Sequence, residues 1–137
     1  MQSIKFIYPK IPIGKERPRF NKKKDVVYTP PRTLECEKEI AKLAKSAMDE
    51  AGFFISISSL EVSITCVFER KGKRTAKYSQ DYPDVDNLAK TVLDGMNNVV
   101  FFDDKQVARL IVEKYYSEMN LEKDAYTVIT VKEIEKP

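Results

Sequence analysis

Apolar positions along this chain change period several times, and each change marks an element. Residues 2–8, Gln-Ser-Ile-Lys-Phe-Ile-Tyr, read as a strand, whereas 9–31 is rich in Pro and Lys, shows no periodicity, and is expected to be an ordered loop or arm. From Thr33 the apolar positions Ile40, Ala44, Ala47, Met48 and Ala51 recur at helical spacing, which predicts a helix over 33–50 with Thr33 as N-cap and Gly52 as stop. Residues 60–69 alternate: Val62, Ile64, Cys66 and Phe68 point one way and Glu61, Ser63 and Thr65 mostly the other, as in a half-buried strand.

Residues 70–77 carry five basic side chains and no acid, with Gly72 to bend them, and read as a mobile cationic loop. Beyond it Leu88, Val92, Leu93 and Met96 form one face of a second helix over 86–97, ended by Asn97-Asn98. Strands over 107–116 and 125–134, separated by a polar stretch, are expected to close the chain as a hairpin. The order β-α-β-α-β-β predicts an α+β fold, a mixed sheet with helices packed against it, in a single domain over 1–137. A length of 137 residues suits one compact core.

Composition narrows the chemistry. The chain has no histidine, and its two cysteines, Cys36 and Cys66, have no zinc-type spacing. Histidine-based nucleophilic catalysis and zinc deamination are thereby excluded, leaving carboxylates, lysines or a hard metal. No run approaches the length of a membrane span and the start lacks an apolar export stretch, so a reducing cytoplasmic setting with buried, apolar cysteines is expected. The charge is unevenly spread. Residues 1–80 hold 17 Lys+Arg against 9 Asp+Glu, and residues 81–137 hold 7 against 12. A basic half attracts polyanions, and clustered acids are what a divalent cation needs before it sheds water.

The acids concentrate in Asp84-Val85-Asp86-Asn87-Leu88-Ala89-Lys90 and, about one helix length later, in Phe101-Phe102-Asp103-Asp104. On a helix beginning near Asp86, Lys90 shares its face, Leu88, Val92 and Met96 turn into the core, and Asp84 sits where its carboxylate can converge with that of Asp86. The apolar run 99–102 should be buried and deliver Asp103-Asp104 to the edge of the core. Asp-x-Asp-Asn before such a run is also an ordinary helix cap, Asp103-Asp104 an ordinary turn, and Asp86 with Lys90 an ordinary i,i+4 ion pair. Two acidic groups, a lysine on the right face and two basic segments in one short domain favour metal binding over capping. An EF-hand loop from Asp84 is excluded by Leu88 and Ala89, and no P-loop is present.

The basic segments are 10–24, where seven of eight charged residues are cationic, and 70–77. Lys15, Arg17, Arg19, Arg70, Lys71, Lys73 and Arg74 are the candidate phosphate contacts, with Phe20 and prolines stiffening the first segment. Neither stretch reads bases in a recognisable way, so for a nucleic-acid partner recognition of shape rather than of a long sequence is expected.

Asp84-x-Asp86-Asn87-x-x-Lys90, then Leu93-Asp94-Gly95, then Asp103-Asp104-x-Gln106-Val107, resembles the RusA family of Holliday-junction resolvases. Gly14-Lys15-x-Arg17-Pro18-Arg19-Phe20 and Tyr28-Thr29-Pro30 are similar to the N-terminal segment of its phage and prophage members, so the resemblance covers most of the chain. It implies that Asp84, Asp86 and Asp104 bind Mg²⁺, with Mn²⁺ as a substitute, that Lys90 is required for cleavage, and that the protein is a homodimer cutting four-way DNA by paired nicks. Asp103 and Asp94 are weaker candidates, Asp94 as an ion-pair partner or an outer ligand. Two other readings stay open: a non-catalytic branched-DNA binding protein, and a metal-dependent transferase or phosphohydrolase acting on small phosphates.

Overall fold

The computed structural model describes residues 1–72, 75–118 and 124–137. A four-stranded mixed sheet has the order β1 (Ser3–Tyr8), β6 (Tyr126–Glu135), β4 (Ser59–Phe68), β5 (Val107–Tyr116), and two helices, α1 (Pro31–Ala51) and α2 (Val85–Met96), pack against it with Phe53, Val100 and Phe101 of the connecting segments to complete the core. The fold is α+β, as the order of elements predicted. Among the described residues no helix is long and apolar enough to cross a membrane.

β4 organises the sheet. Its alternate residues Leu60, Val62, Ile64 and Cys66 are fully buried in the core shared with the helices, and a neighbouring strand covers each of its edges. β5 pairs with it in parallel across the α2 crossover, and β6 pairs antiparallel on its other side. The expected terminal hairpin is therefore not formed: β5 and β6 lie on opposite edges of β4, because the strand with the most strictly alternating apolar face occupies the centre and takes a partner on each side.

α1 buries Cys36, Ile40, Ala44 and Met48 at four-residue spacing, and Gly52, at φ 66°, ends it in the left-handed conformation that favours glycine. The helix begins earlier than predicted. Pro31, whose fixed φ suits the first helical position, starts it, and Thr33 lies buried within the first turn, where its hydroxyl donates to Glu16 at 2.8 Å instead of capping. α2 crosses α1 closely at Gly95, where an added Cβ would come within 3.0 Å of the Glu37 carbonyl and 3.1 Å of Ile40. Both cysteines are free and buried.

The segment 9–31, expected as an ordered loop or arm, is not loop throughout. It carries a small hairpin, β2 (Arg19–Asn21) with β3 (Val26–Tyr28), whose turn is held by Asn21 Oδ1 accepting from the amides of Lys23 at 3.0 Å and Lys24 at 3.1 Å. Three-residue strands with exposed side chains leave no hydrophobic period to detect.

Candidate metal and nucleic-acid site

The start of α2 is fixed from outside the helix. Gly14 lies against Pro83, where a Cβ would meet the proline Cβ at 2.8 Å, and the next residue's amide donates to the Asn87 carbonyl at 3.1 Å. The Lys15 ammonium then reaches Glu37 of α1 at 2.6 Å and Asp94 of α2 at 2.9 Å, with the lysine side chain only 13% exposed. Burial disfavours its charge, but the bonds from Glu37 and Asp94 outweigh that and hold its pKa above the ordinary value. Lys15 is thus turned inward as a clamp rather than presented to a polyanion, and Asp94 is its ion-pair partner.

Asp84 occupies the N-cap position of α2 in an extended conformation, yet its side chain makes no capping hydrogen bond. The helix instead starts with the Leu88 amide donating to the Asp84 carbonyl at 3.0 Å. Asp86 stands in the first turn and Lys90 one turn on, both exposed. Among the described residues Asp84, Asp86 and Lys90 form no side-chain hydrogen bond or ion pair, so neither the ordinary cap nor the i,i+4 pair is realised.

Asp103 and Asp104 take different roles. Asp103 caps the short 3-10 turn Asp104–Gln106: its Oδ1 accepts from the Lys105 amide at 2.9 Å, while Gln106 Oε1 accepts from the amides of Phe102 at 2.9 Å and Asp103 at 3.1 Å. The Lys105 N–H holds the Asp103 carboxyl below the usual carboxylate range, against slight desolvation and with help from the adjacent Asp104 carboxyl and the Lys105 charge. Gln106 Nε2 then donates to the carbonyls of Ser56 at 2.8 Å and Ser58 at 3.1 Å, and the Ser56 hydroxyl donates to Glu133 at 2.6 Å. This chain fastens the turn to the start of β4 and leaves Asp104 exposed beside it. Gln106 is a positioning residue that the sequence reading missed, although the capping spacing Asp-x-x-Gln is a signal that could have found it. The run before it is only partly buried: Val100 and Phe101 are in the core, but Phe102 is 52% exposed.

One chain does not bring the three aspartates together. Segment 77–81 is tied to the C-terminal end of β5 by the Ser79 amide donating to the Lys114 carbonyl and by Lys114 Nζ donating to the Asp81 carbonyl, and Asp84 follows three residues later. Asp104 precedes the N-terminal end of β5. The helix between them, 12 residues long, spans about 18 Å at 1.5 Å per residue, and among the described residues no group of three carboxylates could hold an ion. Asp84 and Asp86 are nonetheless a fitting pair of hard oxygen donors, two residues apart and with side chains uncommitted to the protein.

Of the basic candidates, Arg17, Arg19 and Lys71 are exposed, Arg19 within 3.9 Å of Glu16. Arg70 is a staple, its Nε donating to the Ser117 carbonyl at 2.8 Å and its Nη1 to the Ala76 carbonyl at 2.9 Å, with the guanidinium 5.6 Å from the centre of the Tyr116 ring. Lys73 and Arg74 lie outside the described residues.

Comparison with known proteins agrees with the motif. Residues 9–122 match the family model described as Endodeoxyribonuclease RusA. A curated relative, described as the uncharacterized protein YqaN of Bacillus subtilis strain 168, is 53% identical over 36 residues, which are 26% of this chain and 25% of that protein. The aligned stretch thus spans about a quarter of the relative's length.

Proposed function

The chain belongs to the RusA family of endodeoxyribonucleases, and from that premise we propose that it is a metal-dependent, structure-specific nuclease that resolves four-way DNA junctions by paired symmetric nicks. The observation that carries this reading is that Asp84 stands at a helix N-cap without capping, while Asp86 and Lys90 on the following turn are likewise uncommitted. Among the described residues these three charged side chains at one helix start are exposed and make no hydrogen bond or ion pair, so beyond the helix dipole they are available to a ligand.

Asp84 and Asp86 would hold Mg²⁺, or Mn²⁺ in its place, since two carboxylates leave coordination positions open for a phosphate oxygen and a water. A bound ion supplies a water of lowered pKa and neutralises charge on the attacked phosphate. Lys90, one turn along the same face, stabilises the added negative charge of the transition state or orients the water. The Lys15 clamp keeps this helix start in register with the basic arm, whose Arg17 and Arg19 contact phosphates.

Asp104 comes to the site from a second copy of the chain. Its position beyond the other end of α2 removes it from its own chain's Asp84 and Asp86, and a two-fold dimer exchanges such ends reciprocally. The outer edge of β5 is unpaired and carries Leu110 (43% exposed) on one side and Ile111 (39% exposed) on the other, and with the exposed Phe102 it offers that copy an apolar edge. Two sites in fixed relation also match the need to nick two strands. The test is incubation with a synthetic four-way junction and with linear duplex of the same sequence, with and without Mg²⁺. Paired cuts in the junction alone, and only with the ion, are expected; binding without cutting would make the protein a non-catalytic junction binder.

A further inference from the structure

On the sheet face turned away from the helices, one end carries a row of aromatic and apolar side chains that the metal site does not use. Val67 of β4 pairs with Tyr115 of β5 and Tyr126 of β6, so the pleat points all three the same way, opposite to the core residues Leu60, Val62, Ile64 and Cys66. Arg70 and Lys77 are fastened to the end of β5 beside this row: the Arg70 amide donates to Ser117 Oγ at 3.1 Å, and the Tyr116 amide to the Lys77 carbonyl at 3.0 Å. Between them lies a cavity of about 340 Å³ lined by Val67, Arg70, Lys77, Tyr115, Glu118 and Tyr126, with Thr75 and Tyr116. The Tyr78 ring sits 5.2 Å from that of Tyr115, tilted by 31°, and Lys77 Nζ lies 5.4 Å and 5.9 Å from the two ring centres.

We propose that this pocket receives one unpaired nucleobase of the DNA substrate, stacked on the tyrosines beside Val67. The chemistry suits an uncharged base better than a bare phosphate. Aromatic faces over an apolar floor bind any base by stacking, and a cation at the rim takes the phosphate attached to it. Glu118 in the lining repels a bare phosphate but accepts a hydrogen bond from an exocyclic amine. Tyr115 keeps its proton, because its hydroxyl donates to Glu113 and its pKa is pushed up to about 12, chiefly by that bond and then by desolvation, so the ring meets the base uncharged. The ties from Ser79 and Asp81 to Lys114 put the pocket at the same end of the sheet as Asp84. The choice of DNA as ligand rests on the nuclease reading; the pocket itself does not depend on the ion.

The experiment uses the full chain without metal and a short single-stranded oligonucleotide carrying 2-aminopurine. Binding should quench the fluorescence. Tyr115→Leu and Tyr126→Leu should weaken binding about tenfold or more, Tyr115→Phe should bind as the wild type does, and binding of the matching duplex should be unchanged in all of them. Read by the anisotropy of a dye at the end of each oligonucleotide, wild-type protein should bind a probe with an abasic site in place of the 2-aminopurine as weakly as the Leu variants bind the intact probe, an arm that needs no substitution in the protein and so survives any folding defect of a variant. Equal binding of abasic and intact probes, or no quenching, overturns the proposal. Because no cleavage is involved, quenching by a protein that cuts nothing would sink the nuclease reading and leave the pocket, and cutting without quenching would do the reverse.

Discussion

The Lys15 ammonium meets the Asp94 carboxylate at 2.9 Å, and through that contact the basic arm and the helix bearing Asp86 and Lys90 behave as one unit. Replacing Lys15 by Met leaves Glu37 and Asp94 facing each other without a cation. The expected cost is about 1–3 kcal/mol, as for partly buried polar groups that lose their partner. Thermal unfolding should show a lower Tm for Lys15→Met, with Lys15→Arg in between. The raised Lys15 pKa means its contribution is complete below the unfolded value, about 10.4, and is lost only as pH rises through the folded one, so the deficit should be constant across neutral pH and shrink in strong alkali.

Asp103 and Asp104 are adjacent but should respond differently. Asn caps a helix as well as Asp does, so Asp103→Asn is expected to keep the turn, the fold and most of the cleavage rate. Asp104→Asn removes a proposed ligand and should abolish cutting while junction binding survives or tightens. Rates and gel-shift affinities of the two variants measured side by side check the distinction.

Glu133 should make stability sensitive to acid. Despite desolvation, the hydrogen bonds from the Ser56 hydroxyl and from the Gln2 amide and side chain hold its pKa at about 2. Its contribution is therefore full above the unfolded carboxylate value, about 4.3, and is lost as pH falls through about 2. Glu133→Gln should unfold at lower temperature than wild type at neutral pH, and the gap should close between those two values.

Neutralising Arg17 and Arg19 together should weaken junction binding and flatten its salt dependence by about 0.9 in log–log slope per lost phosphate contact. Titrations across a range of KCl concentrations give the slope. No change would return the arm to a solvated loop.

Where the sequence spoke clearly, a hydrophobic face was being buried. β4 and β5 follow their expected bounds to within a residue, and α2 lies one residue from its predicted span, because Leu88, Val92 and Met96 all enter the core. The expected hairpin of β5 and β6 failed because pairing choice depends on which strand takes the centre, a property of the whole sheet that no local window carries. The acidic motif was legible as residues but not as geometry: Asp84 and Asp86 stand together, while Asp104 is carried away along α2. Lys15 looked like one more cation of a basic arm, and only the approach of Glu37 and Asp94, 22 and 79 positions away in the 137-residue chain, turns it inward.

The shared metal site is tested most directly by mixing. Asp86→Asn chains and Asp104→Asn chains are each incubated with a four-way junction and Mg²⁺, and then together after subunit exchange. Each alone should be inactive, while the mixture should nick the junction, since a mixed dimer rebuilds one intact site from the wild-type Asp86 of one chain and the wild-type Asp104 of the other. Cutting at the wild-type rate by either variant alone would contradict the assignment of these aspartates, and a mixture as inactive as its components would contradict a site shared between two chains.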